Sequence, residues 1–89
     1  LAWVVEVSDT AAKVIEKLGK STQQRITRFL RELVTNGRGP RQTGKPLKRP
    51  LAGLWRYRVG DYRVVCQIED DRFRVLVVKV GHRKDIYRR

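Results

Sequence analysis

The stretch Leu54-Trp55-Arg56-Tyr57-Arg58-Val59-Gly60-Asp61-Tyr62-Arg63 constrains the fold more than any other part of the chain. Gly-Asp between two alternating runs is a two-residue hairpin signal, with glycine supplying the positive φ. With Gly60 and Asp61 as the loop, Val59 faces Tyr62 and Arg58 faces Arg63. Side chains alternate along a strand. Arg56, Arg58 and Arg63 therefore share one face, and Trp55, Tyr57, Val59, Tyr62 and Val64 share the other. Arg56 and Arg58 stand about 7 Å apart along their strand. Like charges directly opposite each other weaken a sheet. Three arginines on one face point to an anionic ligand, against the plainer reading of a solvated polar face.

Charge supports the ligand. The 89 residues carry 21 Lys and Arg against 9 Asp and Glu, a formal net charge of +12. Residues 1–37 hold six basic and four acidic side chains, and residues 38–89 hold fifteen and five. That asymmetry fits nucleic acid, an anionic membrane or an acidic protein partner. Phosphate suits an arginine-rich surface best, because the planar guanidinium matches phosphate oxygens in pairs. The length allows one small domain, 1–89. No run is long and apolar enough for a membrane span or a secretory signal. The single Cys66 excludes an internal disulfide and fits a reducing compartment. One cysteine and one histidine cannot build an ordinary structural zinc site, so no metal or cofactor is expected.

Along the chain, Trp3-Val4-Val5-Glu6-Val7 reads as a strand. Ser8-Asp9-Thr10 offers N-cap side chains to a helix carrying Ala11, Val14, Ile15 and Leu18, with Gly19 as its C′ residue. Ser21-Thr22-Gln23-Gln24 matches a capping box. The helix it opens carries Ile26, Phe29, Leu30, Leu33 and Val34 on one stripe and ends at Asn36-Gly37. Arg25, Arg28, Arg31 and Glu32 fall on its solvated face. The two helices form an antiparallel hairpin whose stripe needs a sheet to lie on. From Arg38 to Pro50 the chain is a basic loop, with Arg38, Arg41, Lys45, Lys48 and Arg49 able to grip a nucleic-acid backbone. Leu47 and Leu51 are expected to pin this loop to the core.

After the hairpin, Val64–Ile68 completes a strand, Glu69-Asp70-Asp71 is an acidic turn, and Arg72–Val80 is the last strand. With Asp70 and Asp71 as the loop, Val78 lies opposite Arg63 and Leu76 opposite Val65. The sheet is then apolar in its middle on both faces. Gly81 ends the strand, and a basic tail follows with Ile86 tucked into the core.

This order of elements resembles the RelE/ParE toxin superfamily. The matching pieces are Pro46-Leu47 ahead of Gly53-Leu54-Trp55-Arg56-Tyr57-Arg58, then Gly60-Asp61-Tyr62-Arg63-Val64-Val65, then Val80-Gly81-His82-Arg83-Lys84-Asp85-Ile86-Tyr87. The RelE-like branch is the better match. The resemblance implies an α+β fold: a strand and a helical hairpin packed on a mainly antiparallel four-stranded sheet, with a short C-terminal tail. It implies a cytoplasmic bacterial or archaeal toxin of a type II toxin–antitoxin pair. Such a toxin cuts messenger RNA in the ribosomal A site without metal, by attack of a ribose 2′-hydroxyl on the adjacent phosphate.

The resemblance also implies roles. Arg56 and Arg58 fall where RelE has two lysines. Arginine cannot release its proton below about pH 12, so both are expected to act as electrostatic stabilisers. Arg63 matches the arginine that holds the scissile phosphate. Arg83 matches the residue linked to protonation of the leaving oxygen, and His82 competes with it, since imidazole suits acid–base work. Tyr87 matches a tyrosine that stacks on a base. Lys84 joins the basic loop residues in binding nucleic acid. The implied partners are an acidic RelB-like antitoxin, the ribosome and its message, with operator DNA reached only through the antitoxin. Two alternatives remain: a ParE-like inhibitor of DNA gyrase, and a ribosome binder without cleavage.

Overall fold

The computed structural model describes residues 3–49 and 51–86. Strand β1 (Val4–Val7) leads into helices α1 (Asp9–Glu16) and α2 (Lys20–Thr35). Strands β2 (Lys45–Pro46), β3 (Leu54–Val59), β4 (Tyr62–Glu69) and β5 (Arg74–His82) follow. They form one five-stranded sheet in the order β1-β5-β4-β3-β2. β1 runs parallel to β5, and the other pairs are antiparallel. The expected four strands gain a fifth because Lys45 and Pro46 pair with Arg56 and Trp55 at the edge.

Both helices lie on one face of the sheet. Ala11, Ile26, Leu30 and Leu33 close over Tyr57, Val59, Val64, Cys66, Val75, Val77 and Val80. Each fully buried aliphatic side chain contributes about 1.5–3 kcal/mol by leaving water. The Phe29 and Tyr57 rings meet at 5.4 Å between centroids. The Tyr57 hydroxyl donates to the Pro40 carbonyl, which ties the basic loop to the core. Leu47 donates its N–H to Leu54 O at 2.9 Å and is half-buried. Leu51, expected to pin the loop, is instead exposed.

The helix ends differ from the sequence expectation. Ser8 does cap α1, accepting from the Ala11 N–H at 3.1 Å. Gly19, however, has an extended backbone and is the N-cap of α2. The capping box at Ser21 does not form. Gln23 reaches back instead and donates to the carbonyls of Ile15 and Leu18, both at 2.9 Å. They lie at and just beyond the end of α1, where carbonyls run short of intrahelical donors, and the Ile15 carbonyl also accepts the Leu18 N–H at 3.0 Å. One glutamine thus joins the two helices.

The β3–β4 hairpin has the expected register, Val59 with Tyr62 and Arg58 with Arg63. Gly60 has φ +59° and Asp61 a negative φ, as a type II′ turn requires. The β4–β5 register differs from expectation. A 3-10 turn (Asp70–Arg72) and a left-handed Phe73 make the connection longer than two residues. A bulge beside Val65 and Cys66 then inserts Val78 as an extra residue in β5. Gly81, not Val78, faces Arg63, and Lys79, not Leu76, faces Val65. The bulge also shifts the side-chain phase. Val75 and Val77 point to the helices before it, and Val80 does so after it.

Candidate functional site

The helix-free face of the sheet gathers the cations. Residues paired across strands point to the same side. One row reads Lys45, Arg56, Val65, Lys79, and the next reads Arg58, Arg63, Gly81. By strand spacing, Lys79 lies roughly 8 Å from Arg63 at the Cα level, on the diagonal. Val65, only 3% exposed yet outside the main core, is the apolar floor between Arg56 and Lys79. This floor is narrower than the sequence suggested.

Arg63 is half-buried. Its Nη1 donates to the carbonyls of Gly60 at 3.2 Å and Tyr62 at 3.0 Å, so the guanidinium is held against the hairpin turn by neutral acceptors. Among the described residues, no ion pair involves Arg58, Arg63 or Lys79. The far end of the same face is different. There Arg74 is bound by both Glu6 and Glu69, the latter at 2.7 Å. Hydrogen bonding from Arg74 holds the Glu69 carboxyl below its ordinary range. The sheet face therefore has a neutralised end and a cationic end at which Arg58, Arg63 and Lys79 have no described ion pair.

The tail folds over the cationic end. Arg83 continues the ladder, its N–H donating to Asp61 O at 2.7 Å, with its Nε 3.8 Å from the Asp61 carboxylate. The N–H groups of Asp85 and Ile86 both donate to His82 O. Ile86 is buried, with its Cδ1 3.1 Å from where a Cβ on Gly81 would lie. A Cβ at position 81 would require the Ile86 side chain to give by a few tenths of an ångström.

His82 does not join this group. Its register with Tyr62 turns the imidazole to the opposite face, edge-on to the Tyr62 ring at 5.6 Å. Its Nδ1 accepts the Lys84 N–H at 3.2 Å. Arg41 also lies elsewhere. Its guanidinium binds the Asp70 carboxylate through two hydrogen bonds of 2.8 and 2.9 Å and sits over Trp55, a residue of the helix-side face. Arg38, Lys48 and Arg49 are exposed in the loop and Lys84 in the tail, none of them in the two rows. Tyr87 lies outside the described residues. Lys79 was missed from the sequence because a bulge leaves no signature in residue type. Arg25 is exposed, as expected of the solvated face of its helix, and its guanidinium also covers Gly60, with Nη1 2.8 Å from the position of an absent Cβ.

The chemistry open to this surface is the binding of a polyanion by arginines. Cys66 offers no nucleophile, since burial pushes its thiol up to about 12. Burial likewise raises the Tyr57 phenol. Among the described residues, no group of three or more His, Cys, Asp or Glu is placed to hold a metal ion. No described helix is long and apolar enough to cross a membrane.

Residues 5–87 match the family described as the ParE toxin of type II toxin–antitoxin systems, parDE. The chain is 35% identical over 89 residues to Toxin RelG of Mycobacterium tuberculosis, covering all of both proteins. It is 34% identical over 84 residues to Toxin RelE of the same organism, covering 94% of this chain and 84% of that protein. Among solved structures, it matches a chain of the toxin–antitoxin complex RelBE2 from M. tuberculosis with TM-score 0.72 and 33% identity, covering 96% and 95% of the two chains. It matches a chain of the intact E. coli RelBE complex with TM-score 0.73 at 24% identity, covering 91% and 96%, a likeness of fold.

The protein belongs to the RelE/ParE superfamily, the toxins of type II toxin–antitoxin systems. Its relatives fall chiefly on the RelE-like side, so the mRNA endonuclease function stands over the ParE-like one.

Proposed function

We propose that the cationic end of the sheet cuts messenger RNA held on the ribosome, by attack of a ribose 2′-oxygen on the neighbouring phosphate. The observation that carries this reading is the pair Arg58 and Arg63, face to face without a carboxylate between them. In the reaction the 2′-oxygen loses its proton to solvent and bonds to phosphorus. The bond from phosphorus to the 5′-oxygen breaks, and that oxygen takes up a proton. The products are a 2′,3′-cyclic phosphate and a free 5′-hydroxyl.

The transition state carries more negative charge on the phosphoryl oxygens than the ground state does. Preorganised cations stabilise that excess. Arg63, fixed by two carbonyls, holds the scissile phosphate. Arg56 and Arg58 favour the developing charge on the 2′-oxygen, and Lys79 joins them from the third strand. None of the arginines acts as a base, because a guanidinium keeps its proton. Arg83, beside the hairpin turn, faces the departing 5′-oxygen. His82 is assigned the placing of the tail and no proton transfer, because its ring faces the other way. Tyr87 stacks on a base, a role carried by the resemblance alone. Arg38, Lys45, Lys48, Arg49 and Lys84 contact backbone phosphates. Arg41 has a structural role in joining the loop to the Asp70 turn.

The partner in the resting cell is a RelB-like antitoxin whose acidic side chains neutralise the same face. The solved relatives include toxin–antitoxin complexes, which supports such a partner. The test is incubation of the purified protein with ribosomes carrying a defined message, followed by analysis of the fragment ends. Cleavage in the A site that leaves a cyclic phosphate upstream and a 5′-hydroxyl downstream is expected. Intact message with inhibited gyrase would favour the ParE-like activity, and stalled ribosomes with intact message a binder without chemistry.

A further inference from the structure

The open edge of β3 carries a recess that shares Arg58 with the cationic rows and adds residues the catalytic reading does not use, Phe29, Thr43 and Gly44. β2 pairs only with Trp55 and Arg56. The two-residue loop makes Val59 and Tyr62 a hydrogen-bonded pair, so alternation turns the Arg58 main-chain N–H and C=O away from β4. At this point the chain of β2 has already diverged, and Thr43 is not a strand residue. A cavity of about 240 Å³ results, lined by Phe29, Thr43, Gly44, Lys45, Arg56, Tyr57 and Arg58. Next to it, Arg25, Arg28, Phe29, Glu32 and Arg58, with Val59 and Gly60, line another recess of about 230 Å³, in which three arginines outnumber the one carboxylate. Phe29 and Arg58 belong to both.

We infer that this recess binds one unpaired base of the RNA, the one flanking the cleaved phosphate, and so sets the sequence preference of the toxin. The inference rests on the nuclease reading above. Phe29 is half-buried and offers an aromatic surface for stacking. The Arg58 N–H and C=O and the Thr43 hydroxyl supply one donor, one acceptor and one group able to be either. Arg58 belongs at once to the catalytic row and to the recess, so a strand held at Arg63 reaches it by rounding the open edge of β3. Arg25 and Arg28 then meet the next phosphate, which gives a function to charges on an otherwise ordinary helix face. The volume falls below the range of about 300–1,000 Å³ usual for whole small-molecule sites, which suits a single flat ring. A peptide strand fits less well. It needs several consecutive edge groups, and here the turn follows one residue after Arg58.

Two measurements on the full chain test this. The first titrates ¹⁵N-labelled protein with a trinucleotide blocked by 2′-O-methyl groups and, separately, with a ten-residue Asp/Glu peptide. The amide signals of Phe29, Thr43, Gly44 and Arg58 are expected to move with the trinucleotide. Movement with the peptide alone, or no movement, overturns the inference. The second measures cleavage on ribosomes programmed with codons that differ at the flanking base. Phe29→Leu and Thr43→Val are expected to flatten the preference about tenfold, whereas Arg63→Ala lowers cutting at every codon alike. Equal loss at all codons in both recess variants, with thermal melts like wild type, overturns the inference. The Thr43 variant keeps the test intact if Phe29→Leu unfolds. Failure of the wild type to cut any codon, with the NMR shifts present, would reject the nuclease reading and leave the base site standing.

Discussion

Arg58 stands directly opposite Arg63 across the β3–β4 ladder, and no described ion pair neutralises either one. Facing like charges cost a sheet on the order of 0.2–1 kcal/mol. A fold that carries this cost at its tightest hairpin holds charge ready for an anion. Replacing Arg58 with threonine, a good strand residue, is expected to raise the melting temperature by a few degrees. The same change should lower cleavage by at least tenfold. Calorimetry and a ribosome-dependent cleavage assay on one preparation read both effects, and a variant that melts lower would remove the argument from repulsion.

Lys79 reaches the cationic face only because Val78 is bulged out of register. Its contribution is electrostatic, so Lys79→Ala should lose about tenfold in cleavage and Lys79→Arg should retain most of it. An arginine variant as impaired as the alanine one would mean that the amine does more than supply charge.

Gly44 packs where no side chain fits. Its φ is +81°, and an added Cβ would lie 2.7 Å from both Arg56 O and the Tyr57 ring. Gly44→Ala is expected to destabilise the protein by about 2 kcal/mol or more, from strain and overpacking together. Chemical denaturation at equilibrium measures it. A change under about 0.5 kcal/mol, the usual limit for a surface substitution, would contradict the packing described.

The Tyr57 hydroxyl anchors the basic loop through the Pro40 carbonyl. Tyr57→Phe leaves the ring in the core but strands that carbonyl. A loss of about 1–3 kcal/mol is expected. Faster proteolysis within residues 38–46 should accompany it, and unchanged protease resistance would show that the loop is held elsewhere.

Two carboxyls are held below their ordinary values, Glu69 by hydrogen bonds from Arg74 and Asp70 by hydrogen bonds from Arg41. A depressed folded-state pKa adds stability above the unfolded value, and that stability is lost as pH falls through the folded value. The reference values are 4.5 and 3.8. Stability should therefore hold at neutral pH and decline progressively as pH drops below about 4.5. Glu69→Gln should flatten part of that decline in a series of melts. An identical acid profile in the variant would assign the loss to other groups.

The hairpin was legible in the sequence because a two-residue turn fixes register, and register fixes which face Arg56, Arg58 and Arg63 occupy. The helices were legible from their apolar stripes, and so was the burial of Tyr57 and Ile86. The β4–β5 register was not. Its connection uses a 3-10 turn closed by a left-handed Phe73, and its bulge, which leaves Val75, Val77 and Val80 all buried under the helices, has no signature in local residue type. That one extra residue hid Lys79 and moved His82 to the wrong side for proton transfer. Gly19 read as a helix end by composition, whereas Gln23 determines the junction through contacts that no short motif encodes. Arg41 looked like its basic neighbours until Asp70, 29 positions later, came within 2.8 Å of it.

The most direct measurement is cleavage of a message programmed in the A site of purified ribosomes by wild type, Arg63→Ala and His82→Ala in parallel. Wild type should cut, Arg63→Ala should lose at least a hundredfold, and His82→Ala should keep cleavage within about tenfold with an unchanged pH profile. Full activity in Arg63→Ala, or a pH profile in His82→Ala that loses an ionisation near neutrality, would contradict a site built from the cations of the helix-free face.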